Sequence, residues 1–204
     1  MVDPLTLFTF VPAALALNLT PGADMMFCLG QGLRSGPRAA WAASAGISSG
    51  SLVHVTLAGL GLGALVAAHP LAFDVIRWLG VAYLLWLARG AIRGPARERP
   101  SGVAMPALRA FREGFFVNLA NPKVILFVLA FVPQFVRPEA GPVLAQFLVF
   151  GAVIALGGLL VNGLVGSLAG GLGQRLARSG PVMGWVTGGI FTALALRLAV
   201  LERN

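Results

Sequence analysis

The chain has 204 residues, of which 57% are hydrophobic and 11% charged, and its formal net charge is +8. Its mean hydropathy of +0.85 excludes an ordinary soluble domain and marks an integral membrane protein. A pI near 11.6 would point to nucleic acid in a soluble chain, but here the basic residues sit at helix ends and in short loops, where they report topology, so no nucleic-acid partner is expected.

A membrane-crossing helix needs roughly 20 apolar residues, and six stretches meet that need: residues 5–33, 39–67, 71–92, 111–136, 143–170 and 181–201. The first contains Ala14-Leu15-Ala16, which resembles a signal-peptidase site. It lacks a charged leader and its apolar pattern runs on into Met25-Met26-Phe27, so it is expected to remain as an uncleaved helix. Arg34 and Arg38 follow the first span, Arg89, Arg93, Arg97, Arg99, Arg109 and Arg112 surround the loop after the third, and Arg175 and Arg178 follow the fifth. Those loops are expected to be cytoplasmic, with both termini periplasmic. Arg77, Arg197 and Arg203 depart from the pattern and are expected to snorkel or to pair with Asp74 and Glu202.

Small residues at fourfold spacing, Gly46 and Gly50, Gly59 and Gly63, Gly166 and Gly170, Gly184 and Gly188, allow close helix approach in lipid. Trp78, Trp86 and Trp185 lie near span ends and read as interfacial anchors. The single cysteine, Cys28, excludes an internal disulfide or a two-thiol relay and reads as a small buried residue.

Two spans are interrupted by a proline step with a charged neighbour: Asn18-Leu19-Thr20-Pro21-Gly22-Ala23-Asp24 and Asn118-Leu119-Ala120-Asn121-Pro122-Lys123. They lie in the first and fourth spans and share the Asn-Leu start and the proline. The expected architecture is therefore an all-α membrane protein of six transmembrane helices, built as a 3+3 inverted-topology repeat with broken helices 1 and 4. Residues 1–204 form one membrane domain, with repeat halves at about 1–92 and 106–204 joined by a basic cytoplasmic loop at about 89–110.

An ionised side chain at mid-membrane costs roughly 2.5 to 3.5 kcal/mol on insertion scales, and Asp24 and Lys123 both incur that cost. Each follows its proline, in the first turn of a new half-helix where N–H groups lack partners. The helix dipole favours Asp24 there and disfavours Lys123, so the lysine calls for an anionic partner. Two readings are open: the charges clip the halves together, or they hold the two ends of a zwitterion, its carboxylate at Lys123 and its ammonium at Asp24. Pro21, Gly22 and Pro122 shape the breaks. Asn18, Thr20, Asn118 and Asn121 flank them and can satisfy the freed backbone groups or line a cavity. Ser44, Ser48 and Ser51 form a polar stripe on span two with His54 at its edge, suited to interhelical bonding or a cavity wall. Pro133-Gln134 can kink span four as part of an outer gate, and Asn162 is a lone polar group in span five. No cofactor is implied.

These motifs, together with Arg34-Ser35-Gly36-Pro37-Arg38, Ala45-Gly46-Ile47, Phe111-Arg112-Glu113-Gly114-Phe115 and Phe131-Val132-Pro133-Gln134-Phe135, resemble the LysE/RhtB family of bacterial amino-acid exporters. The resemblance runs over nearly the whole chain. It implies an inner-membrane efflux protein for an amino acid or derivative such as threonine, homoserine, homoserine lactone, leucine or lysine, driven by the proton gradient and assembled as a homodimer. Carried over, the motif positions are Pro21, Gly22, Asp24, Asn118, Asn121, Pro122 and Lys123. The alternative within the same superfamily is efflux of a divalent metal or another small solute, although metal sites call for clustered His, Cys or carboxylate ligands. No nucleophile and base constellation suggests an enzyme.

Overall fold

Gly and Pro punctuate the apolar sequence at the points where its helices begin and end. The computed structural model describes residues 2–68 and 105–169, together with single helical positions between residues 75 and 92 and between 185 and 199. Apart from those positions, spans three and six, the loop up to residue 104, and Gly170, Gly184 and Gly188 lie outside the described residues. The described residues are all-helical, with no strand.

Helix α1 (Pro4–Leu19) starts where Asp3 accepts a hydrogen bond from the Thr6 backbone, and its last turn closes on Thr20. The Asp3 carboxyl also takes the Thr6 hydroxyl, and these two bonds hold it below the usual carboxylate range. The chain turns at Pro21-Gly22 into α2 (Ala23–Ser35), at 54° to α1. Gly36, at φ 81, takes the left-handed conformation that ends α2, a geometry open to glycine without a Cβ penalty. Pro37 then opens the 32-residue α3 (Pro37–Ala68).

The second part repeats the bent pair. Helix α4 (Ala107–Leu119) ends at Ala120, and α5 (Pro122–Ala130) starts with Pro122 in its first turn, where the missing N–H costs nothing. With the 3-10 turn Val132–Phe135 that follows, α5 lies at 53° to α4. A second 3-10 turn (Pro138–Ala140) leads to α6 (Val143–Ser167). Among the described residues, α6 is by itself long and apolar enough to cross a membrane, and each bent pair passes the same test taken as a unit.

Helix α3 is the centre of the packing, lying along α4 on one side and α6 on the other. A hydrophobic driving force is weak between helices in lipid, so contact depends on shape. A Cβ on Gly46 would collide with the Phe111 carbonyl of α4, and one on Gly32 with the Gly166 carbonyl of α6. Elsewhere the core is aromatic. Phe10 of α1 lies 4.7 Å from Phe150, 5.2 Å from Phe135 and 6.1 Å from Phe131, centroid to centroid. These rings join α1, α5 with its 3-10 extension, and α6 into one cluster.

The backbone approach at Gly46 sets a testable limit. Gly46→Ala is expected to force α3 from α4, at the 1–3 kcal/mol or so typical of overpacking. Gly61, with nothing within 4 Å of a built Cβ, should accept alanine without loss. Thermal unfolding of the detergent-solubilised variants, followed by size exclusion, checks both, and equal melting points would contradict the contact.

Candidate functional site

Breaking a helix releases carbonyls at its C-terminal end and N–H groups at the next N-terminal end. In this chain the two breaks meet, and each supplies partners for the other. The Asn118 side chain, at the end of α4, donates to Asp24 Oδ2 at 2.9 Å. Asp24 lies in the first turn of α2 and is 6% exposed, at the positive end of that helix's dipole. In return, the Lys123 ammonium, in the first turn of α5, donates to the carbonyls of Leu17 at 3.0 Å and Thr20 at 2.9 Å. The lysine thereby escapes its own helix's unfavourable end and caps the negative end of α1. No ion pair joins Lys123 to Asp24.

Smaller bonds fix this arrangement. The Asn121 side chain accepts from the Lys123 backbone at 3.0 Å, and the Thr20 hydroxyl returns to the Ala16 carbonyl at 2.5 Å. Asn118 is fully buried, and its side-chain oxygen takes the Ser51 hydroxyl at 3.3 Å. His54 Nε2 meets the Asn118 carbonyl at 3.2 Å, so both residues of α3 address the second break. Gly22 is extended and faces the lysine: a Cβ there would lie 3.3 Å from Lys123 Nζ.

Between the breaks is a cavity of about 10 Å³, room for roughly one water molecule. Asp24, Lys123, Asn18, Ser51 and Asn162 supply its polar wall, and Leu17, Ile47, Val124 and Ile154 its apolar wall. Two polar atoms at the breaks lack partners. Asp24 Oδ1 and Asn121 Nδ2 are buried without a hydrogen bond, a condition that costs about 1–3 kcal/mol for a neutral group and more for a charge.

The other sequence candidates divide. Asn18 reaches the cavity while donating to the Ile154 carbonyl at 3.1 Å. Ser48 is placed elsewhere: its hydroxyl donates to the Ala155 carbonyl at 2.9 Å, and Ser44 to that of Leu159 at 2.8 Å, so these serines tie α3 to α6. Gln134 is in the 3-10 turn beside the aromatic cluster and donates to the Ala130 carbonyl, away from the cavity. Ser51 and Asn162 were legible as polar positions in apolar helices, but their place in one wall depends on how α3 and α6 pack. Among the described residues, no three His, Cys, Asp or Glu side chains converge as a metal site would require.

The sequence profile of the LysE type translocators matches residues 15–202. The chain is 35% identical over 178 residues to a homoserine/homoserine lactone efflux protein of Salmonella typhimurium, covering 83% of this chain and 81% of that protein. It is 34% identical over 177 residues to an uncharacterized membrane protein of Vibrio cholerae, covering 85% of each. A leucine efflux protein of an Enterobacter species is 31% identical over 155 residues, covering 74% of each. No solved structure gives a significant match.

The bond from Asn118 to Asp24 can be tested for its structural weight. Asn118→Leu leaves the carboxylate without its donor and should destabilise the protein by more than the roughly 1–3 kcal/mol typical of a neutral group. Adding Asp24→Leu should recover much of the loss, because both partners are then apolar. A melting curve for each variant decides it: a double variant no more stable than Asn118→Leu alone would show that the bond is not the cause.

Proposed function

The chain belongs to the LysE type translocator family, a membrane transporter and not an enzyme, and from that premise we propose that it exports an amino acid or amino-acid derivative from the bacterial cytoplasm in exchange for protons. The observation that carries this reading is the pair of opposite charges facing one cavity with separate hydrogen-bond partners. Of the three donors on the Lys123 ammonium, two are used by α1 carbonyls, which leaves one for a carboxylate. Asp24 keeps Oδ1 free for an ammonium. A zwitterion fits this polarity, and a single cation or anion would use only half of it.

The one-water cavity is too small for an amino acid, so this conformation corresponds to a closed state and transport requires opening on alternate sides. We read the two bent pairs as equivalent elements of a 3+3 inverted repeat, which places the site near the membrane centre. Arg34 and Arg38 at the α2 to α3 turn put that turn in the cytoplasm, and both termini on the periplasmic side. The names of the relatives, homoserine, homoserine lactone and leucine efflux proteins, agree with a small amino acid or its derivative.

In this mechanism Asp24 alternates between the substrate ammonium and a proton. Substrate leaves to the outside, a proton takes its place on Oδ1, and release of that proton to the cytoplasm restores the carboxylate for the next amino acid. Asn118 holds Oδ2 throughout and keeps the carboxylate oriented.

Export from proteoliposomes tests the assignment. Asp24→Asn should insert and fold yet lose proton-driven export, and full export by that variant would remove Asp24 from the mechanism. Lys123→Met should reduce efflux of homoserine more than efflux of homoserine lactone, which has no free carboxylate. Equal losses would assign Lys123 to the α1 carbonyls alone.

A further inference from the structure

Gln31 presents a problem that the cavity does not explain. It is fully buried, and neither its Nε2 nor its Oε1 has a hydrogen-bond partner. Among the described residues, the second buried glutamine shows the usual solution: Gln146 donates to the carbonyls of Arg137 and Gly141 and accepts from the Arg137 backbone. A carboxamide with both ends unmet in a sealed interface raises the energy of the closed arrangement, and it finds partners only when that interface parts.

The position of Gln31 indicates which interface that is. At 100° per residue, Asp24, Cys28, Gln31 and Ser35 fall on one face of α2. Their partners run antiparallel along α4 and the residues just before it: Asp24 meets Asn118, Cys28 shares a packed cluster with Ala110, and Ser35 accepts from the backbone of Met105. Gln31 lies between the last two of these contacts. Three of the residues clustered with Cys28 are alanines, Ala39, Ala43 and Ala110, beside the larger Ile47, so on the alanine side little bulk stands between α2 and the α3 and α4 pair.

Resting on the export reading above, we infer that the seam between α2 and the α3 and α4 pair is the cytoplasmic entry route to the Asp24 cavity, and that Gln31 is a binding station on it for the amino and carboxylate groups of the incoming amino acid. A carboxamide suits that ligand class because it accepts from an ammonium and donates to a carboxylate. Uncharged itself, it passes the zwitterion on to Asp24 and Lys123 without holding it.

Cys28, the single cysteine of the chain and fully buried on the same face, reports the opening. In inverted membrane vesicles, a membrane-impermeant maleimide should label Cys28 slowly in the wild type, and Gln31→Leu, which removes the unmet amide, should slow the labelling further and raise the melting point. In proteoliposomes the same variant should raise the apparent KM for homoserine or leucine roughly five- to tenfold, the worth of one lost hydrogen bond, with Gln31→Asn keeping most of the wild-type value. Unchanged labelling and KM in a folded Gln31→Leu would overturn the proposal, as would a raised melting point with neither effect, which makes Gln31 a packing residue only. A wild type that moves neither amino acid counts against the export reading alone, because Cys28 labelling still decides whether the seam opens beside Gln31.

Discussion

Backbone that leaves a helix inside an apolar protein has to find hydrogen-bond partners, because lipid offers none. Here each break is completed by residues from the other: the Lys123 ammonium caps the carbonyl end of α1, and Asn118 holds the carboxylate at the start of α2. Everything else at the centre of the molecule depends on this exchange. It fixes the crossing of the two bent pairs, and it keeps two opposite charges beside one cavity. Because the lysine donates to neutral carbonyls, no direct bond joins it to the carboxylate, and Asp24 Oδ1 keeps no hydrogen-bond partner.

The supporting helices are arranged to permit this geometry. The bonds from Ser44 and Ser48 to carbonyls of α6 fasten α3 along its length, while Gly46 lets α4 approach α3 to backbone contact. Gly50 extends that approach to the site itself, since a Cβ there would lie 2.8 Å from Asn118 Oδ1. Close packing at small residues thus shapes the candidate site: it brings the hub asparagine of one break within reach of the acid of the other.

Much of this is written in the sequence. Prolines in apolar stretches mark where helices end, and Asp24 and Lys123 stand out because charges in such stretches are costly. Chemistry alone does not give the pairing. The dipole argument expects an anionic partner for Lys123 on α5, but the partner in the fold is the carbonyl end of a neighbouring half-helix, which no side-chain pattern announces. The serine stripe shows the same limit. Ser48 and Ser51 look equivalent at helical spacing, yet one meets an α6 carbonyl and the other the hub asparagine, a difference set by which neighbouring helix each one faces. Gln31 carried a readable signal, seven residues from Asp24 on the same face, but its lack of partners becomes visible only once its surroundings are packed.

The aromatic cluster divides the molecule unevenly. Its rings come from α1, α5 with its 3-10 extension, and α6, and none from α2 or α4. The two breaks therefore fall between a stiff ring-packed frame and two arms joined to it at Pro21-Gly22 and Asn121-Pro122. In the proposed export cycle, opening the cavity toward the end where α2 stops would part these arms from their backbone contacts with α6 and α3 while the rings stay in register. In the proposed transport cycle the frame would serve as a fixed pivot, and access on its own side would call for a different motion, one that separates the rings themselves.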